Sequence, residues 1–487
     1  MYKLTISAGQ KTDTITANAN RLLIDVLREN GIYVNSPCAG RGVCGKCLVY
    51  HQEANAMIKA CEHVITHDLT VRIEQTKVTA KTPFHTTLIK FQQRMGLGLA
   101  VDLGTTTIAL YFVDLMQGKI IDTASCLNRQ AAFGADVISR INAAINGKLL
   151  ELQRMVVDDI NAAIAAFLSP RRQTTIDEIL VVGNPTMLHI LNMTSPEPLG
   201  FAPFQAVFLE QIQTTGAVLG LNAAKVTLMP SAAAFIGADV LAGALASGLL
   251  DHRYSLLIDL GTNGELLLKK DHEYLAAATA TGPAFEGATI EMGMGGVAGA
   301  INHIDWQGGQ ISLTSIGDSE PQGISGSGLV DAIAGLLRQG IIDETGALTI
   351  SFEGKSEARY YLTDRVYLSQ ADIRQFQLAK SAIRTGIEIL LAKAGLKPAD
   401  LERVYVAGGF GFHLELDNAY LTGLLPQTFA GKVASVGNAA GSGAVLALAD
   451  PDILALAIAL APAITCINLA EAAEFTDSFI ANIVFSE

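Results

Sequence analysis

The 487-residue chain holds 34 Lys and Arg against 47 Asp and Glu, a formal charge of −13, with 50% of its residues apolar and 17% charged. That composition excludes a disordered or fibrous chain, and the length calls for two or more domains. The acidic balance lacks the basic footprint that phosphate binding needs, so no nucleic-acid partner is expected.

Met1 to Ser7 alternates like a strand and lacks the charged-then-apolar layout of a secretory signal, which makes the cytoplasm the expected location. A helix is predicted over Leu22–Gly31, ending on glycine, and a strand over Cys47–His51. Between them the run Pro37-Cys-Ala-Gly-Arg-Gly-Val-Cys-Gly-Lys-Cys47 spaces its cysteines as C-x5-C-x2-C, and Cys61 follows after thirteen residues. The interleaved glycines let backbone fold round a compact object and turn N–H groups toward it, which an anionic iron-sulfur cluster requires. Cys38, Cys44, Cys47 and Cys61 are therefore the candidate metal ligands. A disulfide framework is the first alternative, disfavoured in a long chain without a secretion signal. Zinc is the second, although its sites usually show two C-x2-C pairs and only Cys44 with Cys47 makes one here. Cys126 and Cys466 stand apart and read as ordinary buried thiols. The segment resembles the 2Fe-2S ferredoxins, nearer their C-x5-C-x2-C variant than the plant form, and its strand, helix, cysteine loop, strand order implies a β-grasp fold. The gap before Cys61 is shorter than in long-spaced ferredoxins.

Residues 77–96 hold four basic side chains and no acid. Lys77, Lys81, Lys90 and Arg94 are expected in solvent, with docking on an acidic surface as the alternative, on a linker whose mobility would let a cluster travel between electron donor and acceptor.

From Leu97 an apolar strand leads into Asp102-Leu-Gly104-Thr105-Thr106-Thr107 and a second apolar strand. The design recurs at Asp259-Leu-Gly261-Thr262-Asn263-Gly-Glu265, 157 residues on, which signals an internal duplication. In such a turn glycine allows close approach, successive N–H groups cradle phosphate, hydroxyls add hydrogen bonds and the Asp holds Mg2+ through water. Asp102 and Asp259 are the candidate catalytic residues; Gly104, Thr105, Thr106, Gly261, Thr262 and Asn263 are the candidate phosphate binders. Gly408, Gly409 and Gly411, after the apolar strand Val404–Ala407, suit backbone lying against a nucleobase and ribose. This set resembles the actin, sugar kinase and heat-shock chaperone superfamily, with Pro230–Asp239 and Gly437–Ala444 similar to its two interdomain crossings. Gly323–Asp331 opens a helix and suits either an anion or a tight turn, and His189 reads as a core histidine. The apolar stretch Ile453–Ala470 is broken by Pro462 and Asn468, so a buried helix followed by a strand is expected there and no membrane partner.

Ferredoxin first and actin-like ATPase second is an order that resembles the reductive activators of corrinoid proteins over essentially the whole chain. Gly134-Ala-Asp136-Val-Ile-Ser-Arg140, Thr281-Gly-Pro-Ala-Phe-Glu286 and Ile467-Asn-Leu-Ala add to the likeness. The resemblance implies a β-grasp 2Fe-2S ferredoxin domain over 1–76, a linker over 77–96, and a duplicated, ribonuclease H-like ATPase with lobes at 97–250 and 251–487, the second carrying the return crossing helix. It also implies a 2Fe-2S cluster, ATP and Mg2+ as cofactors, a corrinoid protein and a reduced electron donor as partners, and leaves a homodimer open. Its expected activity is reduction of an inactive Co(II) corrinoid to Co(I), driven by ATP. A plant-type cluster near −400 mV facing an acceptor ~120 mV lower would need ~2.8 kcal/mol per electron, a gap ATP turnover can cover. Three other readings stay open: an activator of the kind that serves radical dehydratases, a nucleotide-gated redox sensor, and a small-molecule kinase. The chain lacks the extra domains and cysteine-rich tails of some relatives.

Overall fold

The computed structural model describes residues 1–8, 11–42, 44–73, 91–171, 174–261, 263–307, 310–349, 358–409 and 413–485. The N-terminal unit contains strands β1 (Tyr2–Ala8) and β2 (Lys11–Ala17), helix α1 (Leu23–Glu29), and strands β3 (Leu48–His51), β4 (Ala56–Lys59) and β5 (Leu69–Ile73). They form one sheet in the order β2-β1-β5-β3-β4, with β1 parallel to β5. Alternation does the sorting: Leu4 and Ile6 on β1 and Leu69, Val71 and Ile73 on β5 point one way and are buried against Leu23, Ile24 and Leu27 of α1. This is the expected β-grasp, with a core of its own.

The next lobe runs β6 (Leu97–Leu103), β7 (Thr107–Asp114), β8 (Lys119–Leu127), α2 (Val137–Ala143), α3 (Leu149–Leu168), β9 (Ile176–Gly183), α4 (Pro185–Leu191), β10 (Ile212–Thr214), α5 (Gly216–Leu219), β11 (Ala223–Leu228) and α6 (Ala238–Ser247). Its sheet order is β10-β11-β9-β6-β7-β8. The second lobe runs β12 (Tyr254–Leu260), β13 (Gly264–Lys270), β14 (Glu273–Thr279), β15 (Ala300–Gln307), β16 (Gln310–Ser315), β17 (Gly323–Ile324), α7 (Gly326–Arg338), β18 (Arg359–Tyr361), β19 (Tyr367–Ser369), α8 (Gln370–Ala394), β20 (Arg403–Ala407), α9 (Leu416–Leu421), β21 (Val433–Gly437), α10 (Ala439–Ala449), α11 (Pro451–Leu460), β22 (Ile464–Cys466) and α12 (Phe475–Ala481). Its main sheet is β21-β20-β12-β13-β14-β22.

The duplication is now topological. An antiparallel meander, β6-β7-β8 or β12-β13-β14, is flanked by parallel strands, β9 then β11 or β20 then β21. Helices α6 and α10 cross between the sheets: α6 follows the first but packs also on β12, and α10 follows the second but packs on β6 and β9. They touch through small residues, since a Cβ on Gly443 would lie 1.9 Å from the carbonyl oxygen of Ala242.

Four sequence expectations need correction. Arg94 is not free in solvent: it pairs with Glu178 at 2.7 Å and donates to the carbonyl of Leu448, so the end of the basic stretch is fastened to the first lobe. Lys77, Lys81 and Lys90 lie outside the described residues. The apolar C-terminal stretch does give a helix and a strand, α11 and β22, but α11 lies on the surface with Leu456 and Ile458 exposed. Cys126 is half-buried and Cys466 is exposed, so neither is a core thiol. Among the described residues no helix is long and apolar enough to cross a membrane.

Candidate functional site

The cysteine loop between α1 and β3 turns through four residues in the left-handed region, Ala39, Gly40, Gly42 and Gly45. That coiling gathers the thiols in two pairs: Cys38 lies in hydrogen-bond reach of Cys44, and Cys47 in reach of Cys61. The Cys61 amide also donates to the sulfur of Cys47 at 3.5 Å. Burial pushes the Cys61 thiol up to about 12, the Cys47 sulfur adding to it, so that thiol is a poor anion until a cationic centre arrives. Among the described residues no three His, Cys, Asp or Glu side chains converge as a single-ion site demands. Two adjacent pairs suit a two-iron group better than one tetrahedral zinc.

The cysteine loop is seated against both lobes. On the first lobe, the Ala135 amide donates to the Pro37 carbonyl at 3.0 Å, Arg28 of α1 donates to the Ala132 carbonyl, and the Tyr33 hydroxyl donates to Glu151 at 3.2 Å. On the second lobe, the ammonium of Lys46, between the candidate ligands Cys44 and Cys47, donates to the carbonyls of Ile290, Glu291 and Gly293 at 2.9, 3.2 and 2.6 Å. Burial brings Lys46 down to about 8, against the pull of Cys44 and of Asp372.

Between the lobes lies a cavity of about 530 Å³. Asp102, Gly104, Thr105, Thr106, Gly261, Asn263, Asp259, Gly408 and Gly409 all border it, so the described candidates for the nucleotide site meet in one place. Thr262 and Gly411 lie outside the described residues. The two turns are not identical. Leu103 pairs with Ile108 across the first hairpin and Leu260 with Gly264 across the second, making the second turn one residue shorter. One register step further in, Asp102 faces Ala109, whereas Asp259 faces Glu265.

Supports fix the first turn from behind. Gly104 leaves no room for a side chain, its virtual Cβ lying 2.6 Å from the Thr107 carbonyl. Asn128 donates to the Gly104 carbonyl at 2.9 Å, the fully buried Arg140 donates to the Thr105 carbonyl, and Asn184 donates to the Thr105 hydroxyl at 3.1 Å. The Thr106 hydroxyl reaches across to Glu286 of the second lobe at 2.7 Å. Gly408 has φ +106°, and a Cβ there would lie 2.4 Å from the Leu260 carbonyl, so only glycine lets β20 close on the second turn.

The cavity concentrates acid. Burial raises Asp102 to about 6, opposed by the hydrogen bond from Asn438. Burial raises Asp259 to about 7, with the neighbouring charges of Asp239, Asp102 and Glu286 adding to it. Asp239 is likewise raised to about 7, and Glu265 goes well above its ordinary value, burial leading in both. Carboxylates packed this way repel one another, and positive charge brought among them would relieve that repulsion.

Asp239, Glu265, Glu286, Asn184 and Asn438 therefore belong to the site although none stood among the sequence candidates. Asp239 and Glu265 closed motifs already noticed, but nothing in spacing alone aims them at the cavity. The N-terminus of α7 at Gly326 borders it too, with Ser325 and Ser327 donating to the carbonyls of Ile301 and Asn302. His189 is fully buried, its ring bonded to the Pro185 carbonyl and the Val207 amide, as a core histidine.

Known proteins resemble the chain along its whole length. A family profile described as the C-terminal domain of RACo, the ASKHA domain, matches residues 253–487; the RACo middle region matches 97–252, and a 2Fe-2S iron-sulfur cluster binding domain matches 7–68. The corrinoid activation enzyme RamQ of Eubacterium limosum is 30% identical across 98% of each chain. The Co(II) methylated amine-specific corrinoid protein reductase of Methanosarcina barkeri is 25% identical over 70% of this chain and 68% of its own. A solved structure described as a reductive activator for corrinoid, iron-sulfur protein aligns over 99% of this chain and 98% of that one, with TM-score 0.75 and 26% identity.

Proposed function

The chain belongs to the RACo family of reductive activators of corrinoid proteins, and from that premise we propose that it returns a partner's Co(II) corrinoid to Co(I), one electron at a time, at the expense of ATP. The observation that carries this reading is the seating of a four-thiol loop against both lobes of an acid-lined cleft. A one-electron carrier built onto a closing cleft is useful where the electron must go uphill.

A 2Fe-2S cluster bound by Cys38, Cys44, Cys47 and Cys61 supplies the one-electron store. The surrounding residues do the rest. Glycines of the loop turn backbone amides inward, and the burial of Cys38, Cys47 and Cys61 keeps water from the sulfurs. In the cleft, Asp102 and Asp259 would hold Mg2+ and orient the attacking water. Thr105, Thr106, Thr262 and Asn263 bond the phosphates, and the glycines from Gly408 to Gly411 lie against the adenosine. Glu265, opposite Asp259 on the paired strand, borders the same cavity and adds a further carboxyl beside the attacking water. Closure on nucleotide changes what the two lobes present to the corrinoid protein.

The test follows Co(I) absorbance, under strict anaerobiosis, in a corrinoid protein of the same organism, with a chemical reductant and Mg-ATP. Cobalt reduction is expected only with hydrolysable ATP. Cys44→Ser should abolish it while sparing basal ATP hydrolysis, and Asp259→Asn should leave a reducible cluster that cannot pass its electron. Equal reduction without nucleotide would sink the coupling. Activation of a non-corrinoid enzyme instead would move the chain to the dehydratase-activator reading.

A further inference from the structure

One loop, residues 284–297, touches both the cysteine loop and the nucleotide cleft. Its carbonyls at Ile290, Glu291 and Gly293 take the three hydrogen bonds of Lys46. The residues that follow at once, Met294, Gly295, Gly296 and Val297, line the cavity, as does Glu286 before them, where it accepts the hydroxyl of Thr106 from the first phosphate turn. The loop has little slack: a Cβ on Gly293 would lie 2.3 Å from the Gly287 carbonyl, and the Met294 amide is tied to the Ile324 carbonyl at 2.8 Å. A displacement at Met294 to Val297 is thereby passed to the carbonyls that hold Lys46.

The ferredoxin domain has its other seat on the first lobe, through Pro37 with Ala135 and Arg28 with Ala132. It therefore bridges the two lobes, and its contacts fit one separation of them. A change in that separation breaks one seat. Among the described residues the seat on the second lobe rests on one side chain and one loop, the Lys46 ammonium and its three carbonyl acceptors, so a shift of that loop undoes it, and an ammonium deprived of its acceptors regains its stabilisation only by returning to water.

We propose that Lys46 is a positioning residue that couples the nucleotide cleft to the iron-sulfur domain: nucleotide seated against Met294 to Val297 withdraws the three carbonyls, and the domain leaves its seat on the second lobe. This deepens the assignment of the two sites and rests on it. The domain is held while the cleft is empty and is free to meet other proteins once the cleft is filled.

Hydrogen–deuterium exchange on the anaerobic full-length holoprotein tests it, with iron absorbance and nucleotide binding recorded on the same samples. In the unsubstituted protein a non-hydrolysable ATP analogue with Mg2+ should raise exchange over Ser36 to Cys47 and around Ala135 several-fold. Lys46→Met should show the raised exchange over Ser36 to Cys47 with or without nucleotide, and Lys46→Arg should restore the difference. Lys46→Gln replaces the Met variant if that one loses iron. Unchanged or reduced exchange on adding nucleotide overturns the coupling, as does a Lys46→Met protein that responds like the parent. Failure to hold iron or to bind nucleotide overturns the underlying site assignment and the coupling with it; a flat response with both intact overturns the coupling alone.

Discussion

The side-chain amide of Asn438 donates to the carboxylate of Asp102 at 2.7 Å, joining residues 336 positions apart in sequence. Asp102 ends the first strand of the duplicated module, and Asn438 caps α10, the helix that returns from the second half of the chain, by accepting from the Gly441 amide at 2.7 Å. One side chain thus completes a helix and steadies the carboxylate proposed to hold the metal.

Asn438→Ser keeps a capping oxygen and removes the amide. Without that donor the Asp102 carboxyl should rise above its present value of about 6, because the amide is the contribution that lowers it. A hydrogen bond to a charged group is worth about 1.5 kcal/mol, or roughly one pH unit. The acid limb of ATP hydrolysis should therefore move upward by about that much in a pH–rate profile. A limb that stays in place would show that Asp102 does not govern it.

Asp239 and Asp259 are raised to about 7 by burial first, Asp239 then by the charge of Asp102 and Asp259 by those of Asp239, Asp102 and Glu286, which makes the cleft pH-sensitive. The folded chain keeps protons that the unfolded chain releases near pH 4, so these groups lower stability as pH climbs from about 4 through 7. Thermal unfolding without nucleotide should accordingly give a falling midpoint between pH 5 and 8. Mg2+ with nucleotide favours the ionised forms, and the midpoint gained on adding them should widen over the same range. A nucleotide shift independent of pH would contradict the placement of metal at these carboxylates.

Purified without air, the protein should hold about two iron and two acid-labile sulfide per chain, as a plant-type cluster does. Replacing any of Cys38, Cys44, Cys47 or Cys61 by Ser should deplete both, whereas Cys126→Ser and Cys466→Ser should not. Stoichiometric zinc with no visible absorbance is the result that would falsify the cluster assignment.

Gly443→Val should damage the ATPase module without touching a cleft residue. The added carbons have nowhere to go, since the first of them already meets the Ala242 carbonyl at 1.9 Å. Overpacking of this kind costs about 1–3 kcal/mol or more, so the unfolding midpoint should drop by several degrees. Iron content should stay normal, because the ferredoxin core is separate. An unchanged midpoint would mean that α6 and α10 do not cross as tightly as described.

Periodicity and glycine placement exposed the architecture before any coordinates. The 157-residue repeat of the Asp-Leu-Gly-Thr turn predicts two matching sheets, and the sheets match strand for strand over five positions. The small-residue run at Gly437 foretells the α10 crossing for the same reason that Gly443 fits there, whereas the run from Pro230 is mostly the turn that leads into α6. Contacts between distant segments were not legible. Glu286 enters the cleft by accepting from Thr106, 180 residues away, and Lys46 finds its acceptors 244 to 247 residues on. Both stand in motifs visible in the sequence, but nothing in those motifs names the distant partner. The docked ferredoxin was missed because a basic, acid-free stretch reads as a tether whether or not the domain before it has a seat.

The return of α10 to the first lobe also constrains synthesis. A nascent chain that has emerged through β11 and α6 holds every strand of the first sheet, yet Leu99, Val101 and Val181 belong to a core that is finished by Ala440, Ala444 and Leu448. The ribosome must add some two hundred more residues before that cover exists. Until then the first lobe carries an open apolar flank, and the ferredoxin, whose core is local, is the one part able to fold behind the exit tunnel on its own schedule.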